Sequence, residues 1–310
     1  MGSRCSIAGL VAISLGALAC ATSGRAGDPL RFCLDQSTLT ASKGDGKSDH
    51  AFDVQVVNAV ARKMARPAAI QWYQTGSDSD NNPDYEINAL LSDGRCDIVA
   101  GYPLLASAIQ QPVSERAKLP GFAGSKSEDR RRWVKLGELQ ASHGYRFSPL
   151  VVVLGPAASN LTVQRLSDLK GLKLVVDEGT LGDAVLMSNG GGALIPNITH
   201  MSPGEDIFES MERGEYAATL VELPRFDAYV SRHAETRLVS SGHYHSIGFN
   251  VGMVGLTTNA SLLDQVDDAI KALLGGSDLA DIAHATHVTY MPPREPNIHE
   301  IITAADLKEE

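Results

Sequence analysis

The stretch between residues 30 and 102 constrains the fold most, because it combines apolar strands with amphipathic helices in an alternating order. Residues 30–35 and 94–101 are apolar strand candidates, and residues 53–65 and 84–93 between them have helical spacing. Strand–helix–strand units of this kind pair their strands in parallel, and ligands bind at the carboxyl ends of such strands. Those ends carry Asp35 and Gly101-Tyr102. We therefore expect this stretch to form one half of a binding cleft.

A second α/β alternation begins after residue 155 and predicts a second lobe. Residues 172–176, 198–201, 217–222 and 236–240 read as strands, with helices at 181–188 and 224–232. The apolar runs 149–154 and 247–254 lead into and out of this unit, and two helices follow. We predict an α/β fold with two lobes separated by a gap: residues 27–149 in lobe 1, 150–250 in lobe 2, and 251–310 returning to lobe 1. Two crossover strands would form the hinge.

The first residues have the pattern of a secretory leader. Arg4 precedes residues 7–18, which are apolar apart from Ser14 and two glycines, and small residues follow. This is the order of a cleavable signal peptide, and the segment is shorter than the ~20 residues that span a bilayer. We predict that residues 1–26 direct export and are removed. Residues 17–20 also resemble a lipobox, so a lipid anchor at Cys20 is the alternative.

Charge and cysteine content narrow the possible partners. The formal net charge is −10 and becomes −12 without the leader, because Arg4 and Arg25 are lost and no acid is. Such a balance does not suit nucleic acid or anionic lipid; the basic run at 130–132 is read as a solvated turn. Removing the leader leaves Cys33 and Cys96, an even number in an oxidising compartment.

Both remaining cysteines lie on the two strands of the first unit. Neighbouring parallel strands are about 4.8 Å apart, within reach of a disulfide when the side chains share a face. We therefore predict a structural Cys33–Cys96 disulfide. A metal or redox role would need a CxxC spacing or a third ligand, and the sequence has neither, so we expect no metal site and no cofactor.

The order of these elements resembles the type 2 periplasmic solute-binding proteins, extracellular family 3. The matching pieces are residues 30–35, 52–54, 94–101, 166–180, 214–222 and 247–253. Within that group, Cys33-x-Asp35 together with residues 94–97 is similar to a branch encoded with quinoprotein (methanol or alcohol) dehydrogenases. Residues 104–146 depart from both patterns by an apparent insertion.

The resemblance implies a set of ligand-binding residues. Family members hold a carboxylate with an Arg in a Thr-x-Glu-Arg context, which Arg116 in Ser114-Glu115-Arg116 matches about eight positions late. Gly179-Thr180 corresponds to the Gly-Thr that offers donors at a helix start, although a simple helix cap needs the same Thr. Glu222 stands where amino-acid binders usually have an Asp for the ligand amine.

Two further residues follow from the strand ends themselves. Asp35 and Tyr102 end the lobe 1 strands, and Tyr102 either stacks on a ligand or fills the cleft. The expected function is a non-catalytic, monomeric periplasmic protein that closes on a small solute for an ABC-type importer permease. The alternative is an accessory partner of a quinoprotein dehydrogenase. A third reading is an enzyme that uses Asp35 and Glu222, but nothing in the sequence demands chemistry.

Overall fold

The computed structural model describes residues 28–36, 51–75, 82–111, 114–129, 132–202, 205–300, 303 and 306–308. The predicted leader and Cys20 lie outside these residues. The helices are α1 Phe52–Lys63, α2 Pro83–Ser92, α3 Ala106–Ile109, α4 Leu181–Ser188, α5 Ile207–Glu212, α6 Leu223–Arg232, α7 Ala260–Leu274 and α8 Asp278–Thr286. No helix in this described part is long and apolar enough to cross a membrane.

The described strands include two sets of four with the same internal order. All the strands are β1 Leu30–Asp35, β2 Ala68–Gln74, β3 Ile98–Pro103, β4 Arg116–Lys118, β5 Gly121–Phe122, β6 Trp133–Lys135, β7 Leu139–Ala141, β8 Arg146–Leu154, β9 Leu174–Asp177, β10 Ile198–Met201, β11 Ala218–Glu222 and β12 Val239–Leu256. In β2-β1-β3-β12 and again in β10-β9-β11-β8, three parallel strands are followed by one antiparallel strand.

Strands β8 and β12 are long enough to serve both arrangements. They pair with each other antiparallel, while β8 also pairs with β11 and β12 also pairs with β3. We expected a gap between two sheets, but these shared strands make the hydrogen-bonded ladder continuous. The register of β12 shifts between Ser240 and Tyr244 and again between Tyr244 and Gly248, so the ladder is irregular between the two halves. The predicted crossover strands at 149–154 and 247–254 lie within β8 and β12.

The buried side chains divide into two groups, which define the lobes as we use the terms. Lobe 1 contains two apolar clusters, one on α1 and α7 and the other on α2. Lobe 2 contains two more, one on α4 and the other on α5 and α6. Because helices cover both faces of each half-sheet, the chain has the two-lobed α/β architecture expected from the sequence. The predicted domain boundaries fall inside β8 and β12 and stay predictions.

The disulfide between Cys33 and Cys96 is formed, which confirms the prediction. Their Cα atoms are 5.6 Å apart, and both side chains are buried. The bond ties β1 to the turn that precedes β3, so it fixes the centre of the lobe 1 half-sheet.

The C-terminal tail, residues 287–300, runs back across both lobes. Thr289 binds Asp227 of lobe 2, and Met291 packs against the α5–α6 cluster of the same lobe. Farther along, the tail meets the side chain of Asn250 on β12, and His299 pairs with residues around Leu105 of lobe 1. The two crossover strands are therefore accompanied by a third segment that contacts both lobes.

Candidate ligand-binding cleft

The pairing of β8 sets the two lobes end to end. Val251 of β12 lies opposite both Pro103, the last residue of β3, and Arg146, the first residue of β8. Glu222, the last residue of β11, lies opposite Leu150. Leu150 follows Arg146 on β8 by four residue steps, which is about 13 Å. The carboxyl ends of the lobe 1 and lobe 2 strands therefore face each other over this distance.

Arg146 lies on the lobe 1 side of this cleft in a compact charged network. Its guanidinium donates to Asp53 Oδ2 at 3.1 Å and lies 5.1 Å from the centroid of the Phe52 ring. Tyr145 donates to the other oxygen of Asp53 at 2.7 Å. Burial, and then the charge of Asp53, raises the pKa of Tyr145 well above its usual value. The tyrosine therefore stays a neutral donor to Asp53.

One hydrogen-bond donor of Arg146 has no partner among the described residues. Its side chain is 13% exposed, and its Nε is buried without a hydrogen-bond partner among the described residues. An unpaired buried donor costs about 1–3 kcal/mol. An acceptor brought to this point by a ligand would recover that cost. Sequence reasoning missed this residue, because its only signal was an Arg at the start of an apolar crossover strand.

On the lobe 2 side, the predicted Gly179-Thr180 pair begins α4. The hydroxyl of Thr180 accepts from the amide of Asp183 at 3.3 Å and donates to the carbonyl of Asp177 at 2.9 Å. The amide of Gly179 donates to the carboxylate of Asp183 at 3.0 Å. This helix start therefore already holds a carboxylate of its own chain, as a helix cap does.

Asp177, at the end of β9, is paired with a cation. Arg225 of α6 forms an ion pair with its carboxylate and lies 5.5 Å from the centroid of the Phe208 ring. Glu222 is different. It is half-buried at the strand end, and no hydrogen bond or ion pair of its carboxylate occurs with the residues that the structure describes. Glu222 is therefore a half-buried acid at the lobe 2 edge that is uncommitted among the described residues.

Asp35 and Tyr102 lie at the lobe 1 strand ends in different surroundings. Asp35 is half-buried and opposite Tyr73 of β2. Burial raises the pKa of Tyr73, and Asp35 and Asp84 raise it further. Tyr102 is 1% exposed and packs in the α2 cluster, so its ring is core rather than cleft surface.

The hydroxyl of Tyr102 is held inside lobe 1 by polar neighbours. It lies 2.9 Å from the carbonyl of Ala108, 3.3 Å from the amide of Gln111 and 3.4 Å from Asp84. Burial raises the pKa of Asp84, against the lowering effect of the hydrogen bond from Tyr102. This polar cluster was not predicted, because its members come from separate elements with no common motif.

Arg116 lies away from these strand ends. It is exposed on the separate two-stranded sheet β4–β6, opposite Lys135. No contact connects it with the cleft residues in the described ranges. The position predicted from the family pattern is therefore filled by an outward-facing side chain, whereas Arg146 is an arginine that lies near the hinge.

The described residues outside the cleft offer no metal site, and they line a surface cavity that lies apart from the cleft. No group of three or more His, Cys, Asp or Glu side chains is arranged to hold a metal. A surface cavity of about 490 Å³ is lined by Lys173, Asn197, Glu215 and Tyr216. These residues lie at the amino ends of the lobe 2 strands, at the edge opposite the cleft, so the cavity does not belong to it.

Comparison with known proteins supports the architecture. No protein-family model and no curated protein matches the chain. Among solved structures, it resembles the L-cystine solute receptor of Neisseria gonorrhoeae, with a TM-score of 0.57 and 16% identity over 86% of this chain and 96% of that one. Substrate-binding domain 2 of GlnP from Lactococcus lactis gives 0.57 and 14% identity over 84% and 95%.

A third similar structure belongs to the same class. It is the second substrate-binding domain of a putative amino acid ABC transporter from Streptococcus pneumoniae, with a TM-score of 0.56 and 12% identity over 84% of this chain and 100% of that one. At these identities the likeness establishes the fold alone. The chain has the two-lobed fold of periplasmic-binding-protein-like domains.

Proposed function

We propose that this protein is a non-catalytic periplasmic binding protein that closes its two lobes on a small solute, such as an amino acid or organic acid, for an ABC-type importer. The observation that carries the proposal is the opposition of the strand ends of β3 and β11 across a hinge of two strands. The similar structures are a solute receptor and two substrate-binding domains, which supports the same role. The buried disulfide fits an oxidising compartment such as the periplasm.

Because Arg225 and Asp177 already pair with each other, the acids at the cleft favour a ligand that carries an amine. Glu222 offers a carboxylate without a partner among the described residues, and Asp35 provides a second acid at the lobe 1 edge. Arg225 is already paired with Asp177, so it is not free to hold a ligand carboxylate. A carboxylate on the ligand would instead meet the uncommitted Nε of Arg146, which takes the place predicted for Arg116.

Gly179 and Thr180 keep a smaller part in the proposal. Since Asp183 already occupies the donor of Gly179, these residues shape the cleft edge more than they bind charge. Tyr102 is left out, because its ring is in the core. No step of bond making or breaking is needed to explain the arrangement, so the protein is proposed to bind without turnover.

Thermal unfolding of the purified mature chain with a panel of amino acids, organic acids and amines tests the proposal. A bound solute at ~100 times its dissociation constant should stabilise the fold by about 2.7 kcal/mol. If no member of the panel raises the unfolding temperature, the proposal is wrong.

Two matched variants then test the anchor. Glu222→Gln removes the uncommitted charge, and Glu235→Gln removes an exposed charge elsewhere on lobe 2. We expect the first to weaken an amine-bearing ligand about tenfold, as the loss of a charge-assisted hydrogen bond would, and the second to have little effect. Equal affinity in both variants would remove Glu222 from the site while leaving solute binding intact.

The accessory role beside a quinoprotein dehydrogenase rests on one observation, the Cys33–Cys96 disulfide that matches the branch pattern. No comparison supports that branch. It is tested by mixing the purified chain with such a dehydrogenase and measuring complex formation by sedimentation. A complex without any solute response would favour this alternative, and its absence would remove it.

A further inference from the structure

The two-stranded sheet β4–β6 has one buried face and one basic, aromatic face. Ala117 and Val134 point inward and pack in the α2 cluster. The outward positions on the two strands are Arg116, Lys118, Trp133 and Lys135. We call these four residues the basic face. It lies on the outer flank of lobe 1, apart from the strand ends that form the cleft.

The positive charges of the basic face are not neutralised by ion pairs with the described residues. None of its three cations has an ion-pair partner among the described residues. Arg116 lies directly opposite Lys135, and like charges in that position destabilise a sheet. Glu115, exposed beside them, offsets only one of the three charges. Three unpaired cations on a chain of net charge −10 make a local field of opposite sign to the rest.

The aromatic member adds contact area. Trp133 is 58% exposed, the most exposed large apolar side chain of the described residues. The ammonium of Lys118 lies 5.3 Å from the centroid of its ring, which holds both side chains against the sheet. Trp and Arg are the residues that most often dominate binding energy at protein interfaces. An exposed Trp beside cations therefore has the composition of a binding hot spot.

We propose that the basic face binds an extended acidic segment of a partner protein. Arg116 and Lys118 are two residues apart on one strand, about 7 Å, which is also the spacing of carboxylates at alternate positions of an extended chain. The chain as a whole is acidic, with a net charge of −10, so most of its surface would be repelled by an anionic membrane. A narrow acidic segment avoids that repulsion.

The size of the face sets the expected strength. Four side chains supply only part of the about 800 Å² per partner that a standard interface buries. The complex should therefore be weak and sensitive to salt, because exposed charges are screened within about 10 Å at 0.1 M salt. This proposal does not depend on whether the cleft binds a solute.

The test uses Trp133 as its own reporter. The sequence has two tryptophans, so Trp72→Phe in the full chain leaves Trp133 as the only one. A synthetic peptide of alternating Glu and Thr is titrated, with a peptide of alternating Gln and Thr as its control. We expect a saturable blue shift of the Trp133 emission with the Glu peptide only, and an affinity about tenfold lower at ~0.3 M salt.

Matched charge variants locate the binding. Arg116→Gln with Lys135→Gln should weaken the Glu peptide about tenfold, whereas Lys170→Gln with Lys173→Gln, exposed cations on lobe 2, should change little. Circular dichroism verifies that each variant is folded. The proposal is overturned if the Glu peptide gives no saturable shift, if the Gln peptide binds equally, or if both pairs weaken it alike. Tighter binding to phosphatidylglycerol vesicles than to the peptide would replace the protein partner by a membrane.

Discussion

Asp227 of helix α6 accepts two hydrogen bonds from Thr289, one from the backbone amide at 2.8 Å and one from the hydroxyl at 2.9 Å. The carboxylate belongs to lobe 2 and the threonine to the tail that returns from lobe 1. Burial raises the pKa of Asp227, while the hydrogen bonds from Thr289 and the charge of Arg146 oppose the rise. The junction of tail and lobe 2 therefore contains a titrating group.

The raised pKa of Asp227 determines how this residue changes stability with pH. A carboxyl with a raised pKa in the folded state contributes stability that is present below its unfolded pKa of about 3.8 and is lost as the pH rises through the folded value. In Asp227→Asn this loss is absent. We therefore expect the variant to gain stability relative to wild type as the pH rises. Its free energy of unfolding minus that of wild type should be larger at about pH 7 than at about pH 4.

Urea unfolding at the two pH values measures this difference. Asp264→Asn, an exposed carboxylate on α7, is the control and should run parallel to wild type. If Asp227→Asn also runs parallel, Asp227 does not titrate differently in the folded protein.

Asn250 fixes the tail to β12. Its side-chain amide lies 2.6 Å from the carbonyl of Arg294 and 3.0 Å from that of Asn297, and its carbonyl accepts from the amide of Arg294 at 2.9 Å. Asn250→Leu keeps the volume but leaves these buried groups unpaired, so we expect a loss of about 3 kcal/mol. Urea unfolding measures the loss, and hydrogen exchange at Arg294 should accelerate. Asn160→Leu, at an exposed position, should leave both unchanged; equal effects would deny Asn250 this role.

The Cys33–Cys96 bond closes a sequence separation of 63 residues. Constraint of the unfolded chain by a loop of that length stabilises a protein by at most about 4 kcal/mol. We expect the double variant Cys33→Ala, Cys96→Ala to lose most of this in urea unfolding under oxidising conditions. Under reducing conditions wild type should fall to the level of the variant. If strong reductant, applied to the unfolded wild-type protein, does not lower its free energy of unfolding, the disulfide does not stabilise the fold as proposed.

Gly182 of α4 allows a close approach between helix and strand. A Cβ at this position would overlap the backbone oxygen of Leu220 on β11, so Gly182→Ala forces α4 away from the sheet. We expect a loss of about 2 kcal/mol by urea unfolding, as for other overpacked sites. Gly275→Ala is the matched control, since its nearest neighbour would be 3.6 Å away and its φ of −72° suits alanine. A similar loss in both variants would mean that α4 can move freely.

The alternation of strands and helices could be predicted from the sequence because periodicity is a local property. β1, β3, the two crossover strands and the disulfide were predicted from short apolar runs and from the number of cysteines in an exported chain. Residues 104–146 could not be predicted in the same way. Their strands β4 to β7 have two or three residues each, too few to produce a periodic signal.

The direction of individual side chains was harder to predict than the elements. Tyr102 precedes the last residue of β3, and this strand is covered on both faces, so alternation does not tell which face of the sheet its ring occupies. Arg116 matched a local motif, but the strand in which it lies packs through Ala117 and turns the arginine outward. Arg146 carried no motif at all. Its position beside Asp53 depends on a contact between residues 93 positions apart.

The passage of residues 287–300 along the hinge has a mechanical consequence. Two strands side by side can twist as well as bend, so lobes joined only by them would explore many orientations. A third segment fastened at Asp227 on one lobe and at Asn250 and Leu105 near the other restricts twisting and leaves bending as the easier movement. Opening and shutting should then follow a narrow arc, with less orientational freedom to give up when the lobes meet.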